Sequence, residues 1–450
     1  MTRFFTILLV VALSAFRAFG GIAPNDAFND GIDRTDPNFV KASLLIMSPG
    51  DELYSCAGHS CIRLECPTFN LDYCFSYESE SVKDKIFTFF MGKLKMGMFA
   101  IPTADYLKLG RESGRGVMQY TLNLPPDAKQ RLWKILDERV AQGAYLPYDY
   151  IARGCAHSAL DVLMEALRPY RLVVDQWPEK YLKWTRREFV REATEGYLWQ
   201  QMPLCAICGT EADKATSRFE NVVVPLGLLE ILRIAKVNGT QVIDGEGVEL
   251  VAIGGGRGAT ALPAGETAPA AQGNGHMGRV TIPFFTPMTV SGFVVALAVV
   301  NWFVKANWLD WIFLAFQSLA GAFFTFLVIF SDLPSTGWNW LIVPFNLLPL
   351  AFWKWRQKWA LWFAGVLVLW EFGMIAWPHM LTLPAYLVLV GAYVLMYARI
   401  GWKWSHAAEP AAGGPRSAPC GPSGSLRSGN PTPTARANPV AATMGRPHSA

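Results

Sequence analysis

Apolar residues gather in two blocks, and the rest of the chain alternates between strand-like and helix-like spacing. The first block, Phe4 to Phe16, follows Arg3 and is trailed by Ala18, Gly20 and Gly21. It is shorter than the ~20 residues that cross a bilayer, so residues 1–20 are expected to be a secretory signal peptide. The second block, residues 283–403, predicts an all-α domain of five membrane helices. They are Phe284–Val304, Trp311–Phe330, Trp338–Trp353, Ala360–Trp377 and Leu381–Tyr397. The third is the shortest and carries Pro344 and Pro349.

Residues 21–250 have ordinary polarity and enough length for a core of their own. Val40–Met47 is a β-like apolar run ending at Pro49-Gly50. Cys61–Cys66 alternates, with Ile62 and Leu64 on one face, and Asp72–Tyr77 is an aromatic strand reached through the turn-like PTFN. Gly116–Leu124 alternates again. Pro125-Pro126-Asp127 then opens a helical stripe of Leu132, Ile135, Leu136 and Val140. A second stripe of Leu160, Leu163, Met164 and Leu167 starts at Cys155, and Trp184–Trp199 is read as a further helix. Strands first and helices after predict an α+β domain. Residues 251–282 read as a Gly/Ala/Pro-rich linker, and residues 404–450 as a disordered tail.

Composition agrees with this division. Hydrophobic residues make up 52% and charged residues 17% of the 450, against roughly a quarter charged in an ordinary soluble protein. The net charge of +4 gives no case for a nucleic-acid partner. Lys305, the Lys354/Arg356/Lys358 group, and Arg399 with Lys403 follow the first, third and fifth predicted spans; the loops after the second and fourth carry no Lys or Arg. The positive-inside rule then makes the tail cytoplasmic and everything before Phe284 extracytoplasmic, as the signal peptide also implies.

Seven of the eight cysteines (56, 61, 66, 74, 155, 205 and 208) fall in the extracytoplasmic part, where disulfides are normal. Seven is odd, so one thiol is left over. Cys155 stands where a loop becomes a helix, and the free N–H groups there stabilise a thiolate and an oxyanion. The bland alternative is a buried structural cysteine. His59, after a flexible Ala-Gly at a strand start, is the leading base; His157 is two residues from Cys155 and points away on a helix. Cys56, His59, Cys61 and Cys66 also allow a zinc reading, but their spacing matches no common finger. Cys205-Ala-Ile-Cys208 resembles a redox motif without the βαβ surroundings of one. Glu371 is the clear ionisable residue within a span; it either has a function or pairs near the interface with Asn339 or Asn346.

Taken together, GHSCIRL, DYCFSY, GKLKMGMFAIPTADYL, GRGVMQYTLNL, YLPYDY and a helix-opening cysteine resemble the periplasmic domain of a family of bacterial lipoprotein N-acyltransferases. That domain is related to circularly permuted papain-like proteins, in which His precedes Cys, and membrane spans follow it. The resemblance covers about residues 40–235. It implies Cys155 as nucleophile and His59 as base. Gly58, Arg63, Tyr73, Gly92, Arg115, Tyr148, Asp149 and Asp161 match recurring positions, as do Trp338-Asn339 and Pro344-Phe345-Asn346. Gly154 stands where the family usually has Asn, and the cysteines at 56, 61, 66 and 74 are not typical of it. Ser76 and Asp72 are the candidates for a third catalytic residue. The activity implied is transfer of an acyl chain from a membrane phospholipid, through a Cys thioester, to the amine of a diacylated lipoprotein, with no cofactor or metal. The protein would lie in the bacterial inner membrane. A membrane-anchored cysteine hydrolase of cell-wall peptides would use the same dyad, and a scaffold or transporter-like component would use neither residue.

Overall fold

The amino-terminal part is built on one antiparallel sheet. Its strands are β1 (Lys41–Met47), β2 (His59–Cys66), β3 (Leu71–Ser79), β4 (Lys95–Pro102), β5 (Val117–Thr121), β6 (Tyr145–Pro147) and, from later in the chain, β10 (Val248–Val251). They lie in the order β10-β5-β1-β2-β3-β4-β6, every neighbouring pair antiparallel. The computed structural model describes residues 32–50, 52–214, 216, 218–253, 285–304, 307–333, 337–351, 355–376 and 384–407. The predicted signal peptide, most of the 251–282 linker and nearly all of the tail lie outside the described residues.

Helices follow or interrupt the strands: α1 (Ile86–Phe90), α2 (Thr103–Glu112), α3 (Pro126–Gln142), α4 (Cys155–Ala166), α5 (Glu179–Lys183), α6 (Arg186–Ala193), α7 (Leu198–Ile207) and α8 (Pro225–Ile234). A small second sheet joins β7 (Leu172–Val174), β8 (Ala235–Val237) and β9 (Thr240–Gln241). Strand alternation sorts side chains to two faces. Leu44, Ile62, Leu64, Phe75 and Met96 share one core with Leu132 and Leu136 of α3 and Leu160 and Leu163 of α4. Leu45, Met47, Cys61 and Cys74 form the other with Tyr106 of α2 and Val117 and Val251. The region is mixed α/β, as the patterning predicts. The single helix expected over Trp184–Trp199 is two, α6 and α7, separated by Thr194–Tyr197.

The sharpest local feature is the β2–β3 hairpin. Pro67–Phe69 makes a 3₁₀ turn, and Asn70 at φ 51° turns the chain into β3. The register pairs Ile62 with Phe75 and Glu65 with Asp72.

The carboxy-terminal part is helical: α9 (Pro287–Phe303), α10 (Trp308–Phe330), α11 (Leu348–Ala351), α12 (Arg356–Ala376) and α13 (Pro384–Ala407). Three stretches are long and apolar enough to cross a membrane: Trp308–Phe330, Lys358–Ala376 and Pro384–Lys403. The apolar α9 is shorter, at 17 residues. The predicted third span, Trp338–Trp353, is not one continuous helix: among its described residues it holds a 3₁₀ turn at Trp340–Ile342 and the four-residue α11. The two prolines explain the break, since each lacks an N–H and its ring opposes a preceding helical turn. The carbonyl freed at Pro344 accepts a hydrogen bond from Gln317 Nε2 at 2.7 Å, and the Tyr397 hydroxyl donates to Gln317 Oε1 at 2.5 Å. At Gly321 a Cβ would come within 2.6–2.8 Å of the Asn346 backbone, so only glycine admits the broken segment this close to α10.

The helical part has two distinct ends. At one, α1 and α7 rest on the helices. At the other, Arg399 pairs with Asp310, and Lys403 reaches Asn307 Oδ1 at 3.2 Å. Leu361 packs against Gly401 at this second end. The segment between Trp338 and Arg356 therefore leads from the first end to the second without a continuous helix.

Candidate active site

Two elements bring the candidate dyad together. Gly58 is at φ +85°, a left-handed conformation that disfavours side chains, and a Cβ there would press on the Met47 carbonyl at 3.0 Å. This turn feeds His59 in as the first residue of β2. Cys155 is the first residue of α4, with Gly154 as its extended N-cap. Asp149 shapes the approach: it is buried, and its Oδ1 accepts from the amides of Ile151 at 2.9 Å and Ala152 at 3.2 Å. Helix α4 packs on β2 and β3, which brings its N-terminus to the start of β2.

His59 and Ser60 lie beside the Cys155 thiol and act on its charge. On its other side, His59 Nε2 is 2.6 Å from Ser76 Oγ and 3.1 Å from Glu78 Oε1, and Ser76 Oγ donates to Glu78 Oε1 at 2.8 Å. With Nε2 engaged there, Nδ1 is the nitrogen left for the thiol.

Charge stabilises this row. Burial works against a charged His59, but the Glu78 carboxylate and the Cys155 thiolate outweigh it and raise the imidazole well above its ordinary range. Burial alone would push the Cys155 thiol up, yet the His59 charge and hydrogen bonds from His59 and Ser60 hold it below the ordinary thiol range. Burial opposes Glu78 ionisation too, and His59 again prevails and lowers it. Elsewhere burial wins: Cys56 and Cys205 are pushed up to about 12 and Cys208 to about 11. Cys155 is partly accessible, whereas the other described cysteines are buried, and none of the seven is in a disulfide. The N–H groups of the first turn of α4 have no helical carbonyl to bond and lie where an oxyanion would form.

Glu78 is the functional residue that the sequence reading missed. Continuing the β2–β3 register from Ile62–Phe75 sets Glu78 opposite His59. The two candidates for a third residue separate. Ser76 is in the row, between Glu78 and His59. Asp72 is not: it lies at the far end of the hairpin, opposite Glu65, accepting 2.8 Å bonds from Arg63 Nε and Nη2 and a 2.5 Å bond from Thr103. Asp72, Cys74, Ser76 and Glu78 all share one strand face, so alternation alone cannot choose between them; register does.

The other motif residues divide similarly. Tyr148 lines the cavity beside Cys155. Arg115 donates from Nε to the Ser48 carbonyl at 2.6 Å and sits beneath the Gly50–Ser55 loop. Arg63 is tied to Asp72, Glu65 and Gln119, and Tyr73 pairs with Leu64 and Pro102; both are remote from the thiol. Asp161 is exposed, 3.7 Å from His157. Gly92 abuts the Asp332–Leu333 backbone, a close approach that excludes a Cβ. Asn339 Nδ2 donates to the Ala206 carbonyl at 2.6 Å, and Asn346 Nδ2 to Val343 at 2.6 Å. Neither asparagine is a partner for Glu371, whose Oε1 has no hydrogen bond. The proposed zinc ligands do not converge: Cys56 Sγ donates to the Leu53 carbonyl at 3.1 Å, and Cys61 neighbours Cys74 and Tyr106. Cys205 and Cys208 are buried in the core beside Arg187, which donates to their carbonyls.

A cavity opens at the thiol, with an apolar wall that includes Leu53, Val82, Phe89, Val190, Leu204 and Val224.

In comparison with known proteins, residues 27–186 match the family model described as Lnb N-terminal periplasmic domain. No curated protein and no solved structure matches the chain. The domain match and the apolar helices describe a membrane protein whose amino-terminal domain is extracytoplasmic.

Proposed function

We propose that this protein is a cysteine-dependent acyltransferase that moves a fatty acyl chain from a membrane phospholipid to the amino-terminal amine of a diacylated lipoprotein. The observation that carries the reading is Cys155 at a helix N-terminus beside the Glu78–Ser76–His59 row, facing an apolar cavity in a domain seated on membrane helices. His59 takes the thiol proton, and the Cys155 sulfur attacks the ester carbonyl of the lipid. The first-turn amides of α4 and the Ser60 N–H stabilise the oxyanion. The C–O bond breaks, the imidazolium gives its proton to the departing lysophospholipid oxygen, and an acyl thioester remains. The lipoprotein amine then attacks the thioester. His59 removes the proton of that amine as the amide forms, and the proton returns to the thiol.

A papain-like, circularly permuted arrangement accounts for a histidine strand that precedes the cysteine helix in sequence. The chain crosses the bacterial inner membrane five times in this reading, with the third crossing made by the broken segment around Pro344. The loop charges support a cytoplasmic tail.

The test is intact-protein mass spectrometry of purified full-length protein incubated with phospholipid alone. One acyl chain should appear on Cys155, and lysophospholipid release should stop after one equivalent. Cys155→Ala should show neither, and His59→Ala should acylate about 10²–10⁴-fold more slowly. Continuous fatty-acid release by the wild type, or cleavage of cell-wall peptides through Cys155, would instead establish a hydrolase.

A further inference from the structure

Phe89 and Leu204 line the cavity at the thiol, and each belongs to a helix that docks the domain onto the apolar helices. On α1, the ring of Phe87 lies 5.5 Å from that of Phe326, and the ring of Phe90 lies 5.1 Å from that of Phe323, both on α10. On α7, the Met202 carbonyl accepts from Tyr386 of α13 at 3.0 Å, and the Ala206 carbonyl accepts from Asn339. The two helices that contribute Phe89 and Leu204 to the cavity are thus the two that rest on the apolar helices. Phe89 and Leu204 give these two helices an apolar share of the wall; its polar side chains are Tyr54, Tyr148, Tyr150, Thr194 and the Cys155 thiol.

We infer that this cavity is the seat of a single fatty acyl chain, which rises from the bilayer between α1 and α7, and that Leu204 and Val190 set the chain length that reaches Cys155. This rests on the acyl-transfer reading for the source of the chain, and on the cavity alone for its apolar character. A polar or peptidic occupant would find few open groups along this wall: Val190, Leu204 and Val224 are buried aliphatic side chains, Thr194 donates its hydroxyl proton to the Val190 carbonyl at 2.6 Å, and the Tyr150 hydroxyl donates to the Leu204 carbonyl at 3.0 Å. An alkyl chain needs no partner and gains from each methylene removed from water. The headgroup and the leaving alcohol remain on the side of Tyr54, which lines the same cavity but is exposed.

The experiment uses full-length protein in detergent with p-nitrophenyl esters of two to sixteen carbons, and separately a C16 phospholipid, with acyl-Cys155 read by mass spectrometry. In the wild type, labelling should rise with chain length. Leu204→Trp and Val190→Phe narrow the cavity from two different helices. Each should lower the ratio of C16 to C2 labelling by about tenfold or more, the effect of denying burial to two or three methylenes, and shift the optimum to shorter chains. Leu204→Ala should shift it to longer ones. Unchanged profiles in both narrowed variants would overturn the inference and leave acyl transfer standing. So would loss of C2 labelling in parallel with C16 in both. A wild type that prefers long esters, loses that preference in the variants, yet takes no acyl group from phospholipid would keep the cavity assignment and remove the acyl-transfer reading.

Discussion

Glu78 acts on Cys155 only through His59. It faces the side of the imidazole away from the thiol and raises it, and the imidazolium in turn lowers the thiol. The signs fix the pH behaviour. A lowered Cys155 keeps its thiolate at pH values where ordinary thiols are protonated, and alkylation slows only as the pH falls through that depressed value. A raised His59 keeps its proton until the pH climbs through its own elevated value, above which the acid needed for the leaving group is lost. Glu78→Gln removes the charge, so the acid limb of alkylation should move up toward the ordinary thiol range, and the alkaline limb of acylation from phospholipid should move down. At pH values below the depressed thiol value, alkylation of Cys155 should slow by about tenfold for each unit the thiol rises. The check is the rate of iodoacetamide labelling against pH. Asp72→Asn should leave that profile in place, because Asp72 bonds Arg63 and Thr103 and touches no member of the row. An Asp72→Asn shift as large as that of Glu78→Gln would refute the assignment of the third residue.

At the scale of elements, much was legible and the failures have identifiable causes. Period-2 alternation marked β2 and β5, a β-like apolar run marked β1, an aromatic run marked β3, and the Pro-Pro-Asp signal marked the start of α3. The Gly-Cys junction marked α4, because a helix N-terminus is a local property. Register is not local. It depends on how the Pro67–Phe69 turn and the left-handed Asn70 close the hairpin, so the partner of His59 among the three carboxylate- or hydroxyl-bearing positions on that face, Asp72, Ser76 and Glu78, was hidden. Hydropathy likewise marked Trp338–Trp353 as one predicted span and not its break, because the segment is apolar whether helical or not. Gln317, Tyr397 and Gly321, on other helices, supply what the broken backbone needs. Gly321→Leu should therefore be destabilising by about 1–3 kcal/mol, the usual cost of overpacking, and lower the Tm of the detergent-solubilised protein. Gly292→Ala, with open space around it, serves as the control and should not. Equal Tm values for the two would contradict the close contact with Asn346. Gly58→Ala should cost about 1–3 kcal/mol of backbone strain and slow Cys155 labelling, since it moves His59.

For the whole molecule, the thiol domain and the apolar helices form one functional unit because α1, α7 and the Gly92 turn are bonded to or packed on the helix ends. The ring contacts of α1 and the Tyr386 bond to α7 have no sequence signature, whereas Gly92 is a position that the family resemblance had already picked out. A cytoplasm-dependent reporter fused after Lys403 should be active, and a periplasm-dependent one silent; the reverse would put the thiol on the wrong side of the membrane for a secreted lipoprotein substrate. The most direct measurement is made on purified full-length protein first incubated with phospholipid to load the proposed Cys155 thioester, to which a diacylated lipopeptide with a free amine is then added. Mass spectrometry should record the acyl chain leaving Cys155 and appearing as an amide on the lipopeptide, one for one, with lysophospholipid production resuming in step. Loss of the thioester to free fatty acid, with the lipopeptide mass unchanged, would contradict acyl transfer.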